Sequence, residues 1–141
     1  MNEVRVNGKR LWERIEELGR IGAVLGPNGE RGCARLALTD EDRQGRDLVV
    51  SWMTDLGLDV SIDGIGNVVA AMTGRDPSAA PVMVGSHIDT VRTGGRFDGN
   101  LGVLGGLEVI ETLLALPADL RPRRGVSVAF FTDEEGARFA P

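Results

Sequence analysis

The second half of the chain alternates apolar runs with one helical stretch, and this pattern constrains the fold most. Residues 81–85 form a short apolar run that is typical of a strand buried inside a sheet. Apolar residues recur every third or fourth position across residues 101–114, which predicts a helix that Pro117 ends. A second apolar run, Val126–Phe131, follows as another strand. Since a helix between two strands gives a right-handed parallel crossover, the sequence predicts an α/β fold with a mixed, mostly parallel sheet flanked by helices.

The N-terminal stretch predicts one long helix followed by a loop. Asn7 can cap this helix, and its apolar positions step by three and four as far as Leu25. The segment Gly-Pro-Asn-Gly that follows is a strong turn signal and ends the helix. A loop is then expected to continue to about Leu38.

A second helix and a hairpin are predicted next. Thr39 can cap the helix, whose first turn is acidic and therefore suits the positive end of the helix dipole. Gly57 suits the end of the helix. Residues 58–63 alternate in polarity, and residues 68–72 form the returning strand after a glycine-rich turn.

Composition excludes several classes of function. The net charge of −5 is opposite to the basic face that nucleic-acid binding needs. Cys33 is the only cysteine, so no disulfide can form within the chain, which fits a reducing compartment. No apolar run approaches the roughly 18 residues of a membrane helix. The N-terminus also lacks a signal-peptide core, so the sequence predicts a cytoplasmic protein that binds neither nucleic acid nor membranes.

Ionisable side chains follow both strands of the predicted crossover. His87, the only histidine of the chain, comes directly after the first strand, and Glu134 and Glu135 follow the second. In open α/β sheets, ligands bind beyond the carboxyl ends of the strands. We therefore expect an imidazole and two carboxylates at the same edge of the sheet.

Each of these residues also has a plain structural interpretation. His87 could be a structural histidine that Asp89 satisfies by a hydrogen bond; alternatively, Asp89 holds one ring nitrogen while the other binds a metal. Asp98 could be the N-cap of the following helix, or a carboxylate shared by two cations about 3.5–4 Å apart. Adjacent glutamates usually form a solvated patch. Here one of them could bind metal while the other accepts a proton from water, which suits hydrolysis.

Taken together, these motifs resemble the N-terminal part of the M20 metallohydrolase family. The resemblance is to its branch of N-carbamoyl-L-amino-acid hydrolases, allantoate amidohydrolases and β-ureidopropionases, and it covers nearly all of the chain. The motifs that carry it are Asn7-Gly8-Lys9-Arg10-Leu11-Trp12, Arg35-Leu36-Ala37-Leu38-Thr39, Asp63-Gly64-Ile65-Gly66-Asn67, Gly85-Ser86-His87-Ile88-Asp89-Thr90-Val91, Gly94-Gly95-Arg96-Phe97-Asp98-Gly99 and Glu134-Glu135-Gly136-Ala137-Arg138-Phe139. The last two are specific to the branch, and they favour it over the peptidases of the wider family.

The resemblance implies a role for each candidate residue. His87 would bind one metal ion, Glu135 the other, and Asp98 would bridge the two. Glu134 would be the general base, and Asp89 would orient His87. The implied cofactors are two divalent metal ions, zinc first, with manganese, cobalt or nickel as substitutes because mixed histidine and carboxylate ligands select weakly.

Two further histidines of the family have no counterpart in this sequence. The resemblance therefore implies that residues 1–141 are a partial metallohydrolase catalytic domain, a truncated part of a zinc-peptidase-like fold. The lid and dimerisation domain and the C-terminal part of the catalytic domain would be absent. Full-length relatives are expected to be homodimers. We expect this chain alone to bind metal weakly, because a catalytic zinc normally keeps three protein ligands.

The expected function is that of a metal-dependent amidohydrolase. It would cleave non-peptide C–N bonds of linear ureido or N-carbamoyl compounds, such as an N-carbamoyl-L-amino acid or allantoate, by a metal-activated water. Two alternatives stay open. The chain could be a non-catalytic remnant or half-protein that needs a partner segment, or it could belong to an aminoacylase or peptidase of the same family.

Overall fold

The computed structural model describes residues 4–139, which form one mixed sheet, one small hairpin and three α-helices. The predicted elements of the second half are confirmed, and Pro117 lies just after the end of the last helix. In chain order the elements are α1 Gly8–Leu18, β1 Ala23–Leu25, β2 Arg31–Cys33, α2 Asp40–Asp55, β3 Asp59–Ile62, β4 Val68–Met72, β5 Val82–His87, α3 Asn100–Leu114, a 3-10 turn Ala118–Leu120 and β6 Val126–Phe131.

The first helix is shorter than the sequence predicts. Asn7 caps α1 as expected, its side chain accepting from the backbone N–H of Arg10, but the helix ends at Leu18. The predicted last turn instead forms β1, which pairs antiparallel with β2 in the predicted loop. Both expectations for this stretch are therefore wrong. The reason is tertiary: the carbonyl oxygens of Leu18 and Ile21 accept hydrogen bonds from the buried guanidinium of Arg35, which the helical periodicity could not reveal.

The four-stranded sheet has the order β3-β4-β6-β5. The predicted hairpin is confirmed, because β3 and β4 pair antiparallel, and β4 also pairs antiparallel with β6. Among the described strands of this sheet, only β5 and β6 pair parallel, as the crossover predicts. The sheet is therefore mixed and flanked by helices as expected, but "mostly parallel" is wrong for the described residues. The hairpin at residues 59–72 adds its strands in the antiparallel sense because a short turn allows no other pairing.

The core lies between the helices and the sheet. α3 packs on β5 and β6 and contacts α1, while α2 contacts β3 and α1. α2 begins after the predicted cap, since Thr39 accepts a hydrogen bond from the N–H of Asp42. The fully buried apolar side chains include Val49, Met53, Val68, Val103, Leu104, Leu107, Ile110, Val128 and Phe130. This packing fixes α3 against the two parallel strands, and it therefore fixes the loops that leave their ends.

No helix within residues 4–139 is long and apolar enough to cross a membrane.

A buried carboxylate joins α3 to the start of α1. The side chain of Glu108 is 1% exposed, and it accepts two hydrogen bonds from the Arg10 guanidinium, both 2.8 Å long. The backbone N–H of Asn7 donates to it at 2.7 Å, and the Thr112 hydroxyl at 3.1 Å. The guanidinium and these hydrogen bonds hold the pKa of Glu108 below its usual value against the opposing effect of burial. Glu108 is therefore an ionised anchor for α1.

Replacing Glu108 with glutamine should lower the free energy of unfolding by about 2 kcal/mol, because it removes the charge of a buried carboxylate that accepts two hydrogen bonds from Arg10, while Arg10 keeps its weaker contact with Glu111 at 3.1 Å. Urea denaturation followed by circular dichroism measures this change. The matched control is Glu13→Gln, which breaks the exposed Lys9–Glu13 pair and should cost less than about 0.5 kcal/mol. Equal costs for the two variants would contradict an anchoring role for Glu108.

Candidate metal centre

The parallel strands β5 and β6 end side by side, and this brings the candidate residues together. His87 is the last residue of β5 and is paired in register with Phe131, the last residue of β6. Glu134 and Glu135 lie in the turn that follows β6. α3 begins at Asn100, just after Asp98, and it packs against both strands. Three separate segments of the chain therefore meet at one edge of the sheet.

The imidazole of His87 is buried and turned so that one nitrogen faces carboxylates. Its Nδ1 lies 3.0 Å from the backbone oxygen of Asp89. A carbonyl oxygen only accepts hydrogen bonds, so Nδ1 carries the proton and, in the neutral ring, Nε2 keeps its lone pair. Nε2 lies 3.7 Å from Asp98 Oδ1 and 3.4 Å from Glu134 Oε2. This is the orientation that a metal-binding histidine needs.

Three ligand atoms could hold a cation at this edge. One atom each from His87, Asp98 and Glu135 lie within 4.8 Å of one another. Ligands of one zinc ion, each about 2.0–2.2 Å from it, are at most about 4.4 Å apart, so only a small side-chain movement separates the observed geometry from coordination. Burial raises the pKa of Glu135, and the Asp98 and Glu134 carboxylates add to the increase, whereas His87 opposes it. A bound cation would relieve this repulsion, so the residues fit a metal ion.

Asp98 is not the N-cap of α3. That position is Gly99, which makes no capping hydrogen bond through a side chain. The N-cap interpretation of Asp98 is therefore wrong. Its side chain is 71% exposed and directed at His87, which leaves the carboxylate available to a ligand.

Asp89 contacts both sides of the centre. Its backbone oxygen meets the His87 ring, while its carboxylate oxygen Oδ1 lies 3.8 Å from Nδ1. The other oxygen, Oδ2, accepts a hydrogen bond of 3.3 Å from the backbone N–H of Glu135. Among the described residues, Oδ1 has no hydrogen-bond partner although it is buried. Asp89 thus links the loop after β5 to the loop after β6, and the contact that fixes the ring comes from its main chain.

The two glutamates occupy different positions. Glu134 Oε2 approaches the exposed side of the imidazole, and its side chain is 54% exposed. Glu135 lies deeper, tied by its backbone to Asp89 and grouped with His87 and Asp98. All five residues singled out by the sequence are therefore within one cluster.

Asn67 is a supporting residue that the sequence did not single out. Its side-chain oxygen accepts a hydrogen bond of 3.0 Å from the N–H of Thr132, where β6 ends and the glutamate loop begins. Its amide group donates to Asp63 at 2.9 Å, which fixes its orientation. The motif of residues 63–67 was interpreted as a turn, and only the pairing of β4 with β6 reveals that its last residue reaches the site loop.

Comparison with known protein families and structures shows which proteins this chain is similar to. The family model of peptidase family M28 matches residues 67–139, a little over half of the chain. The N-carbamoyl-L-amino-acid amidohydrolase of Rhizobium meliloti is 44% identical over 137 residues, which cover 97% of this chain and 32% of that protein. The ureidoglycolate hydrolase of Arabidopsis thaliana is 33% identical, covering 98% of this chain and 28% of that protein.

Solved structures give the same result. A hydantoinase/carbamoylase family amidase from Burkholderia ambifaria superposes with a TM-score of 0.88 and 49% identity, covering 98% of this chain and 32% of that one. This chain thus spans about a third of the length of the relatives that it matches. The matching family model is that of M28, and the relatives carry the names of the predicted M20 branch. The chain therefore belongs to peptidase family M28, within an M28/M20-like group whose relatives confirm the resemblance to N-carbamoyl-L-amino-acid hydrolases.

Proposed function

We propose that residues 1–141 form the N-terminal part of the catalytic domain of a dinuclear metal-dependent amidohydrolase, which cleaves C–N bonds of linear ureido or N-carbamoyl compounds. The observation that carries the proposal is the convergence of His87, Asp98 and Glu135, with Glu134 beside them, at the ends of β5 and β6. The relatives' names support the reaction class. The remaining metal ligands and the lid and dimerisation domain would come from sequence outside this span.

Each residue has a defined task in this proposal. His87 would hold one cation through Nε2 and Glu135 the other, and Asp98 would serve as a ligand of both. When bound, the two cations lower the pKa of water and stabilise negative charge on the substrate oxygen. Glu134 accepts the proton of the attacking water and returns it to the leaving nitrogen. Asp89 keeps the His87 ring and the Glu135 backbone in place.

The proposal also covers the identity of the metal, the substrate, the oligomeric state and the cellular location. Zinc is the proposed metal, with manganese, cobalt or nickel able to replace it. An N-carbamoyl-L-amino acid is the proposed substrate, because the relative at 44% identity is named as an amidohydrolase of that class of compound. A ureido acid is the alternative within the branch. We further propose a homodimer at the full length of the relatives. A cytoplasmic location is also proposed, since the sole cysteine of the chain permits no internal disulfide.

The metal centre can be tested in this chain because its single histidine gives a single imidazole signal in NMR spectra. Zinc should shift the His87 signal with weak affinity, and Asp98→Asn should abolish the shift, because Asp98 is the residue that shares a cation with His87 in this proposal. The chain alone should not hydrolyse N-carbamoyl-L-amino acids with any added divalent metal, because each cation has too few ligands here. A His87 signal that does not shift when zinc is added would contradict the metal centre. Measurable turnover by this chain alone would contradict the need for further ligands.

A further inference from the structure

Arg35 is the largest fully buried side chain among the described residues, yet it lies outside the metal cluster. Burial lowers the pKa of Arg35, and the nearby Asp42 and Asp89 partly oppose this effect. Its hydrogen-bond partners are nevertheless carbonyl and amide oxygens and one thiol, and no carboxylate of residues 4–139 is in hydrogen-bond contact with it. Burying a charged guanidinium without an ion-pair partner costs desolvation free energy, so the groups that it contacts indicate its role.

The guanidinium joins the two segments that carry metal-ligand candidates. Nε donates to the backbone oxygen of Ile88, between His87 and Asp89, at 2.9 Å. Nη2 donates to the side-chain oxygen of Asn100, the first residue of α3, also at 2.9 Å. Asn100 is itself buried, and its amide nitrogen donates to the backbone oxygen of Arg96. One planar group therefore spans from the loop after β5 to the residues on either side of Asp98.

The backbone of Arg35 is held by the same loop. The N–H of Thr90 donates to the Arg35 oxygen at 2.8 Å, and the Arg35 N–H donates to the Thr90 hydroxyl at 2.8 Å. The remaining guanidinium donor, Nη1, donates to the backbone oxygens of Leu18, the last residue of α1, and of Ile21, three residues further on. Both ends of Arg35 are thus fixed, and its side chain cannot shift without breaking several hydrogen bonds.

A glycine in α2 makes room for this side chain. A Cβ at Gly45 would lie 2.7 Å from Cδ of Arg35, closer than real Cβ contacts occur, and 3.1 Å from Nε, which is tighter than most such contacts. Gly45 is buried in the middle of α2, where alanine would be the better helix former. The glycine is therefore explained by the position of Arg35 and not by the helix.

We propose that Arg35 is a positioning residue that sets the spacing between His87 and Asp98. Its rigid, planar guanidinium, here called the fork, binds the Ile88 oxygen and the Asn100 side chain at a fixed separation, and this pair of contacts is called the clamp. This inference rests on the proposed metal centre, and it assigns to that centre a residue from the β2–α2 connection. Partners that lie behind metal ligands typically change metal affinity by about 10–100-fold when they are removed. Lysine cannot replace the fork, because its three donors share one nitrogen and cannot reach both acceptors in the same geometry.

Two variants test the clamp, and a third is the control. Arg35→Lys keeps the charge and removes the fork. Gly45→Ala keeps Arg35 but displaces its side chain, because the added methyl group overlaps Cδ of Arg35. Gly105→Ala makes the same substitution within α3, at a position where an added Cβ meets nothing within 4 Å. Circular dichroism establishes which variants are folded.

The readouts are zinc affinity and the position of the His87 ring. Zinc titration of the single imidazole signal gives the affinity. Because an added Cβ at Gly99 would lie 2.5 Å from Cε1 of His87, the ring and Gly99 are in contact, and a nuclear Overhauser effect between them reports their spacing without metal. Arg35→Lys and Gly45→Ala should weaken zinc binding at least about tenfold and reduce this effect. Gly105→Ala should leave both readouts unchanged.

The outcomes separate the clamp from general stability. A folded Arg35→Lys variant that keeps either the zinc affinity or the His87–Gly99 effect of the original chain overturns the proposal. Where Arg35→Lys does not fold, Gly45→Ala decides by the same rule. Where the original chain binds no zinc, the proposed metal function fails, and the His87–Gly99 effect alone decides whether Arg35 sets the spacing.

Discussion

Replacing Gly99 with alanine is expected to abolish metal binding at His87 and to lower the free energy of unfolding by about 2–5 kcal/mol. Gly99 adopts φ 65° and ψ −51°, a conformation in which a side chain is strained. A methyl group there would lie 2.5 Å from Cε1 and 2.6 Å from Nδ1 of His87. It would also lie 2.5 Å from the His87 backbone oxygen. Movement of the ring alone therefore does not make room for the methyl group, and the end of β5 must shift as well. Both the imidazole and the Asp98 segment must therefore leave their observed positions.

The matched control for this prediction is Gly95→Ala. Gly95 lies in the same loop, has no left-handed φ, and an added Cβ there meets nothing within 4 Å. Zinc titration of the imidazole signal and urea denaturation measure both effects. An unchanged zinc affinity in Gly99→Ala would show that His87 tolerates the methyl group, and it would contradict the close packing described for this site.

The strands and the helix of the crossover were predictable because their signals are local. Val126–Phe131 is an uninterrupted apolar run, and α3 has regular apolar spacing followed by Pro117. The parallel pairing of β5 with β6 follows from the helical crossover that connects them, and this is why His87 and the glutamates could be placed at one edge.

The N-terminal hairpin was not predictable because its cause is distant in sequence. Ile21 and Leu25 continue the helical periodicity of α1, yet the chain turns after Leu18. The carbonyls at this turn are bound by Arg35, and Cys33 of β2 exchanges backbone hydrogen bonds with Gly94. A local pattern carries no information about such partners, so tertiary contacts override it.

The candidate site divides in the same way. His87, Asp98 and the two glutamates have the types of side chain that bind metals and move protons, so their chemistry is visible in the sequence. Arg35 and Asn67 act through geometry alone, and a single sequence does not distinguish a buried arginine from a solvated one. Their importance appears only when the sheet order brings them beside the site loops.

Replacing Glu134 with glutamine should abolish turnover while leaving the metal content nearly intact. The assay needs a complete site, so we would place residues 1–141 into the matching third of the Rhizobium meliloti relative. Without a carboxylate to accept the proton of water, the rate should fall by a factor of about 10²–10⁴. Glu134 is also the more exposed of the two glutamates, and it is not one of the three residues whose ligand atoms lie together, so metal should stay bound.

The control that gives this prediction its meaning is Glu135→Gln. Glu135 belongs to the group of possible ligands, so its loss should remove metal together with activity. Metal content measured by elemental analysis therefore separates the two adjacent glutamates, which the bare sequence pair cannot do. Glu134 Oε2 now lies 3.4 Å from His87 Nε2, the nitrogen assigned to metal. Loss of metal from Glu134→Gln would mean that this contact turns into coordination, and the roles of the two residues would have to be exchanged.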